Sequence, residues 1–152
     1  SASGRFEEII YKKKSSKIII DYAHTPDAIQ NVLKSYSKKF FRPSLVFGCG
    51  GERDKSKRKK MSMIANKYAN KVYLTDDNPR NENANLIRKT LKKYCPRARN
   101  IANRRLAIQT AISEMHEQDI LIIAGKGHEK YQIIKNKKYL FDDFKVAKGF
   151  IK

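Results

Sequence analysis

Four short apolar runs, Ile18 to Ile20, Leu45 to Phe47, Val72 to Leu74 and Ile120 to Ala124, each give way at once to a loop of polar residues and glycine. No other feature constrains the fold as much. Short runs that are apolar at successive positions suit strands buried on both faces, as in a parallel sheet. Helical spacing fills the gaps between them. Thr25-Pro26 reads as a cap followed by proline at the first helical position, with Ile29, Val32, Leu33, Tyr36 and Phe40 along one face. Met61, Ile64, Ala65, Tyr68 and Ala69 repeat the stripe, as do Ala84, Ile87 and Leu91, and then Ile108, Ala111, Ile112 and Met115 behind a cap at Asn103. This alternation predicts an α/β fold: a Rossmann-like, doubly wound, mostly parallel sheet of about six strands with helices on both faces. Phe6 to Tyr11 reads as a leading edge strand, Tyr131 to Ile134 with Lys138 to Leu140 as a late hairpin, and Asp142 to about Phe150 as a last helix.

The 152 residues suit one compact domain, residues 1–152. With 40% apolar and 32% charged residues, neither a disordered tail nor a membrane protein is expected, and no apolar run approaches the ~20 residues of a bilayer span. The opening SASGRFEE lacks the basic-then-apolar pattern of a secretory signal, and Cys49 and Cys95 form no disulfide framework or metal-ligand spacing, so a reducing cytoplasm is the expected compartment. Thirty-four basic against fifteen acidic side chains give +19, pointing to anionic partners such as nucleic acid, a membrane surface or phosphorylated small molecules. A compositional bias toward Lys, Ile and Asn explains the charge equally well.

In open α/β sheets ligands gather beyond the carboxyl ends of the strands. The loops there are Asp21 to Pro26, Gly48 to Lys55, Thr75 to Arg80 and Gly125 to Lys130, and the topology predicts that they form one site. Gly48 to Arg53 fails the dinucleotide fingerprint, and no segment matches GxxxxGK[ST], so no self-sufficient nucleotide site is visible. Those glycines serve either tight turns or close ligand approach. Six of the eight residues from Arg53 to Lys60 are basic, and the end of that run falls in the first turn of a helix, against the macrodipole. It is either a solvated face or an anion contact. His24 and His128 suit phosphate donation, acid–base work or a structural hydrogen bond, whereas His116 stands near a helix end. Of Asp76 and Asp77, one is expected to cap a helix and the other to contact ligand. Arg80, on the stiff Asn78-Pro79 turn, can grip a carboxylate bidentately, and Asp77 and Glu129 can pair with an ammonium. That set suits an amino acid.

Five ordered motifs carry a resemblance: GRFE at Gly4 to Glu7, DYAHTPDA at Asp21 to Ala28, FGCGGERDKSKR at Phe47 to Arg58, TDDNPR at Thr75 to Arg80, and AGKGHEKYQI at Ala124 to Ile133. Together they make the chain similar to the C-terminal domain of the Mur ligases, nearest the branch that adds meso-diaminopimelate. The resemblance implies ATP-dependent amide bond formation in peptidoglycan synthesis, and hence a place in cell-wall growth, shape and division. The diamino acid is joined through an acyl phosphate to UDP-N-acetylmuramoyl-L-alanyl-D-glutamate. Members using meso-diaminopimelate carry DNPR, present here at Asp77 to Arg80, whereas lysine-adding members typically lack that arginine. Carried over, the diaminopimelate contacts are Arg53, Asp77, Asn78, Pro79, Arg80, Gly125 and Glu129, with Asp21, His24 and Lys55 on the ATP side.

The family's UDP-binding and central ATPase domains are not in this sequence. ATP and Mg²⁺ are therefore expected to be held mainly elsewhere, with no catalytic residue and no metal ligand in this domain alone, and the isolated chain is expected to be inactive and monomeric. Two rival readings stand beside this one. One is a lysine-adding or other ligase of the superfamily, such as a folylpolyglutamate or cyanophycin synthetase. The other is a basic nucleic-acid-binding module, against which stands the lack of aromatic residues interleaved with the basic run.

Overall fold

The computed structural model describes residues 6–127 and 129–151, so Gly4, Arg5 and His128 lie outside the described residues. Eight strands and five α-helices follow in order: β1 Phe6–Tyr11, β2 Ser16–Asp21, α1 Pro26–Ser35, β3 Ser44–Phe47, α2 Ser56–Tyr68, β4 Val72–Leu74, α3 Ala84–Tyr94, β5 Arg99–Asn100, α4 Arg104–Ser113, β6 Ile120–Ala124, β7 Tyr131–Ile134, β8 Lys137–Leu140 and α5 Asp143–Phe150. Six strands form one sheet in the order β1-β2-β6-β3-β4-β5; β1 is antiparallel to β2 and the other pairings are parallel. β7 and β8 make a separate antiparallel hairpin.

Alternate side chains of the strands enter two cores, as the pleat requires. Ile19, Leu45, Phe47, Leu74 and Ile122 pack against α1, α2 and α3 through Ile29, Leu33, Met61, Ala65, Ile87 and Leu91. Ile18, Ile20, Val46, Tyr73, Leu121 and Ile123 pack against α4 and α5 through Ala107, Ile108, Ala111, Ile112, Val146 and Ala147. Helices thus cover both faces, as the alternation of elements predicts. Thr25, Asn83, Asn103 and Asp142 cap α1, α3, α4 and α5 with side-chain oxygens on backbone amides.

Two expectations need correcting. Phe40 does not extend the α1 stripe: the helix stops at Ser35, Phe40 falls in the tight Lys38–Phe41 turn, and the side chain is 93% exposed. A helical period holds only while the helix does. β5, only two residues long and exposed, carried no apolar signal and was not expected. The predicted hairpin is present with its second strand starting at Lys137, after a turn in which Lys135 adopts φ 55°.

Candidate functional site

β2, β6, β3 and β4 are neighbours, and the parallel pairing puts their carboxyl ends on one edge. Beyond that edge lies a cleft of about 290 Å³. Arg53, Asp77, Asn78, Arg80, Gly125 and Glu129 all line it, with Tyr22 and His24. Lys57, Arg58 and Asp54 also line it, although the sequence marked the two cations only as part of a basic run. Cations and carboxylates therefore face one small volume, an arrangement suited to a ligand bearing charges of both signs.

The β3 and β4 loops are packed backbone to backbone. Gly51 N–H donates to Asn78 O at 2.7 Å, and a Cβ on Gly51 would lie 1.9 Å from Pro79 O, so no other residue fits. This settles at least one glycine as a close-packing residue. Arg58 is buried and grips Glu82 with both terminal nitrogens, at 2.9 and 3.1 Å, while also donating to Gly50 O at 2.9 Å. Glu52 N–H reaches Glu82 Oε1 at 2.5 Å. The Arg58 hydrogen bonds hold the Glu82 carboxyl down at about 2.

Arg80 sits at φ 53°, a left-handed conformation that a non-glycine residue adopts only when its surroundings enforce it. Its N–H donates to Ile133 O at 3.1 Å and its carbonyl accepts from Lys135 N–H at 2.6 Å, so the hairpin holds its backbone. Nη1 donates to Gly51 O at 3.0 Å and Asn78 O at 3.3 Å. Among the described residues Nε and Nη2 make no hydrogen bond within the chain, leaving one edge of the guanidinium to meet a ligand. Pro79 is buried behind it, supporting the turn rather than lining the cleft.

Asp77 and Glu129 do not wait unpaired for an ammonium. Lys126, fully buried, places Nζ 3.4 Å from Asp77 Oδ1, 3.8 Å from Glu129 Oε1 and 2.9 Å from Asn78 Oδ1. Sequence reasoning missed this residue because a lysine between two glycines looks like a surface residue. Asp76 is neither a cap nor a cleft residue, correcting the expected pairing of roles: Asn83 caps α3, and Asp76 accepts from Arg88 Nε at 2.7 Å. Also unforeseen is the fully buried Arg104–Asp143 pair, both contacts at 2.8 Å. The same guanidinium donates to Asp76 O at 3.2 Å and Ala124 O at 3.1 Å, which fixes the β4 and β6 ends relative to each other.

The residues assigned to the ATP side are less concentrated. His24 is on the cleft wall, its Nδ1 3.0 Å from Tyr22 O. Asp21 accepts from Ala23 N–H at 2.7 Å, and burial raises its carboxyl above the ordinary value despite that bond. Lys55 precedes α2, exposed, with Nζ 4.0 Å from Glu82 Oε2. Neither Asp21 nor Lys55 lines the cleft. Cys49 does, but burial, with the Asp77 charge adding and Arg58 opposing, pushes its thiol up to about 12, so it is no nucleophile at neutral pH. Among the described residues no three His, Cys, Asp or Glu side chains come together as a metal site.

Comparison with known proteins gives the fold and the family. The chain is 46% identical over 98% of its length to a UDP-N-acetylmuramoyl-L-alanyl-D-glutamate-2,6-diaminopimelate ligase from Buchnera aphidicola, of which it spans 30%. A solved structure of a ligase of the same name superposes with TM-score 0.87 at 39% identity, covering 99% of this chain and 32% of that one. A Yersinia pestis folylpolyglutamate synthase/dihydrofolate synthase, complexed with AMPPNP and Mn, shares the fold at TM-score 0.63 and 17% identity over 82% of this chain and 28% of its own. The chain thus spans about a third of the length of the curated relatives it matches. Residues 4–127 match the description "Mur ligase, glutamate ligase domain", and the chain belongs to the Mur ligase family.

Proposed function

We propose that this chain is the amino-acid-binding domain of a cytoplasmic ligase that joins meso-diaminopimelate to the glutamate of UDP-N-acetylmuramoyl-L-alanyl-D-glutamate. The observation that carries this reading is the meeting of Arg80 and Arg53 with Asp77 and Glu129 along one cleft. A diamino diacid has two ammonium and two carboxylate groups. Arg80 offers its remaining edge to the carboxylate that distinguishes this substrate from lysine, and Arg53 lines the same cleft beside Gly50. Asp77 and Glu129 orient an ammonium, while Asn78 and Gly125 set the wall and Pro79 supports the turn behind it. Held this way, the amine that attacks is presented at a fixed place and angle, and that is where much of the rate advantage of a two-substrate reaction arises.

The relatives' greater length supports the view that the UDP-binding and central ATPase domains lie in a portion of the protein this chain does not span. ATP supplies activation of the glutamate carboxylate as an acyl phosphate, with Mg²⁺. Among the described residues no cluster of His, Cys, Asp and Glu gathers to hold a metal, and the reading assigns both groups to that other portion, with His24, Asp21 and Lys55 approaching the nucleotide on closure.

Arg80→Asn in the full-length protein tests the reading. Loss of a charge-assisted bidentate contact costs ~2 to 3 kcal/mol, so the KM for meso-diaminopimelate should rise roughly 30- to 150-fold while that for ATP stays put. Wild-type enzyme that prefers L-lysine, or equal KM values in the two proteins, would overturn it.

A further inference from the structure

Lys126 lies behind the cleft wall and touches none of its open volume. The chain then continues through Gly127 at φ 55°, where a Cβ would sit 2.9 Å from the Tyr22 Cβ. Burying an ammonium is costly unless its protons find acceptors. Here the acceptors are Asn78 Oδ1 at 2.9 Å and Asp77 Oδ1 at 3.4 Å, with Glu129 Oε1 at 3.8 Å, all belonging to cleft residues. Asn78 Oδ1 also accepts from Ile133 N–H at 2.9 Å. One ammonium therefore joins the β4 loop, the β6 loop and the hairpin. It also trims the local charge: Asp77 and Glu129 less the Lys126 ammonium leave one net negative charge at that part of the cleft, beside the cations Arg53, Lys57 and Arg80.

We propose that Lys126 is a positioning residue that holds Asp77, Asn78 and Glu129 in place and trims their charge so that the cleft receives one ammonium group of a zwitterionic amino acid. This rests on the function proposed above. Without Lys126 the two carboxylates would repel each other and splay, and the ammonium would lose its fixed seat.

The test uses the full-length protein with Lys126→Met, which removes charge and donors, and Lys126→Gln, which keeps an amide donor. Lys126→Met should raise the KM for meso-diaminopimelate about 10- to 100-fold, Lys126→Gln less, and neither should move the KM for ATP. Folded variants with an unchanged KM for the amino acid, or with both KM values moving together, would overturn the positioning role alone. Loss of a cooperative melting transition in both variants would overturn it too, by making Lys126 an element of fold stability. A wild-type protein inactive toward meso-diaminopimelate would bring down the earlier reading and this one with it.

Discussion

The two edges of the sheet use the same basic composition in opposite ways. At the edge where the parallel strands begin and the helices end, cations answer carbonyls in the last turns and just past the helix ends. Arg97 donates to Ala65 O, Asn66 O, Ala69 O and Asn70 O at the end of α2. Lys92 reaches Pro96 O at 2.6 Å past α3, and Lys14 reaches Met115 O at 2.7 Å past α4. Positive charge there satisfies orphan acceptors and complements the negative end of the dipole. At the cleft edge Lys57, Arg58 and Lys59 occupy the first turn of α2, which has no acidic residue there and no side-chain cap. The same charge opposes the helix dipole at this end, and Arg58 offsets it by pairing with Glu82 outside the helix. Cations at the first edge stabilise the chain; at the cleft edge Arg58 does so through Glu82, whereas Lys57, on the cleft wall, makes no ion pair among the described residues.

Three measurements would break or sharpen this contrast. The largest effect is expected for Arg97→Ala, which should lower unfolding free energy by ~1 to 2 kcal/mol in urea denaturation and leave amino-acid affinity intact. A loss of affinity of similar size would blur the two edges. Next comes acid. The Glu82 carboxyl, held at about 2 by its Arg58 bonds against an ordinary 4.5, contributes stability that is complete above the ordinary value and lost as pH falls toward the folded one. The urea midpoint of the wild type should therefore decline through that window, and Glu82→Gln should flatten this part of the decline; an unaltered slope would mean the clamp is not what titrates. The smallest effect, and of opposite sign, belongs to Lys57→Glu. Placing an acid in the first turn of α2 should raise stability by about 0.5 kcal/mol while weakening ligand binding. Stability that falls, with binding untouched, would remove the claim that this charge works against the fold.

Much of the scaffold was legible because β2, β3, β4 and β6 carry short apolar runs ended by a loop, and because Thr25 and Asn103 announce the starts of α1 and α4, whereas Asn83 and Asp142 show themselves as caps only in the structure. β5 was invisible because pairing at a sheet edge needs only backbone groups, and Arg99-Asn100 has no buried side chain to betray it. The members of the cleft could be foreseen from topology, since loops at one edge must meet. Their internal pairings could not. Nothing in the sequence says that Arg88 takes Asp76, that Arg58 takes Glu82, or that Arg104 takes Asp143 from 39 residues away. Such choices depend on which side chains share a buried space, a three-dimensional fact with no local periodicity.

The hairpin of β7 and β8 stands outside the six-stranded sheet yet bonds to both sides of Arg80, at Ile133 O and Lys135 N–H. The guanidinium thus takes its bearing from a ribbon that contributes no strand to the main sheet. Lengthening or shortening the Lys135-Asn136 bend would re-aim that arginine while the main sheet kept its register, giving evolution or an engineer an adjusting screw for substrate choice that is mechanically separate from the frame.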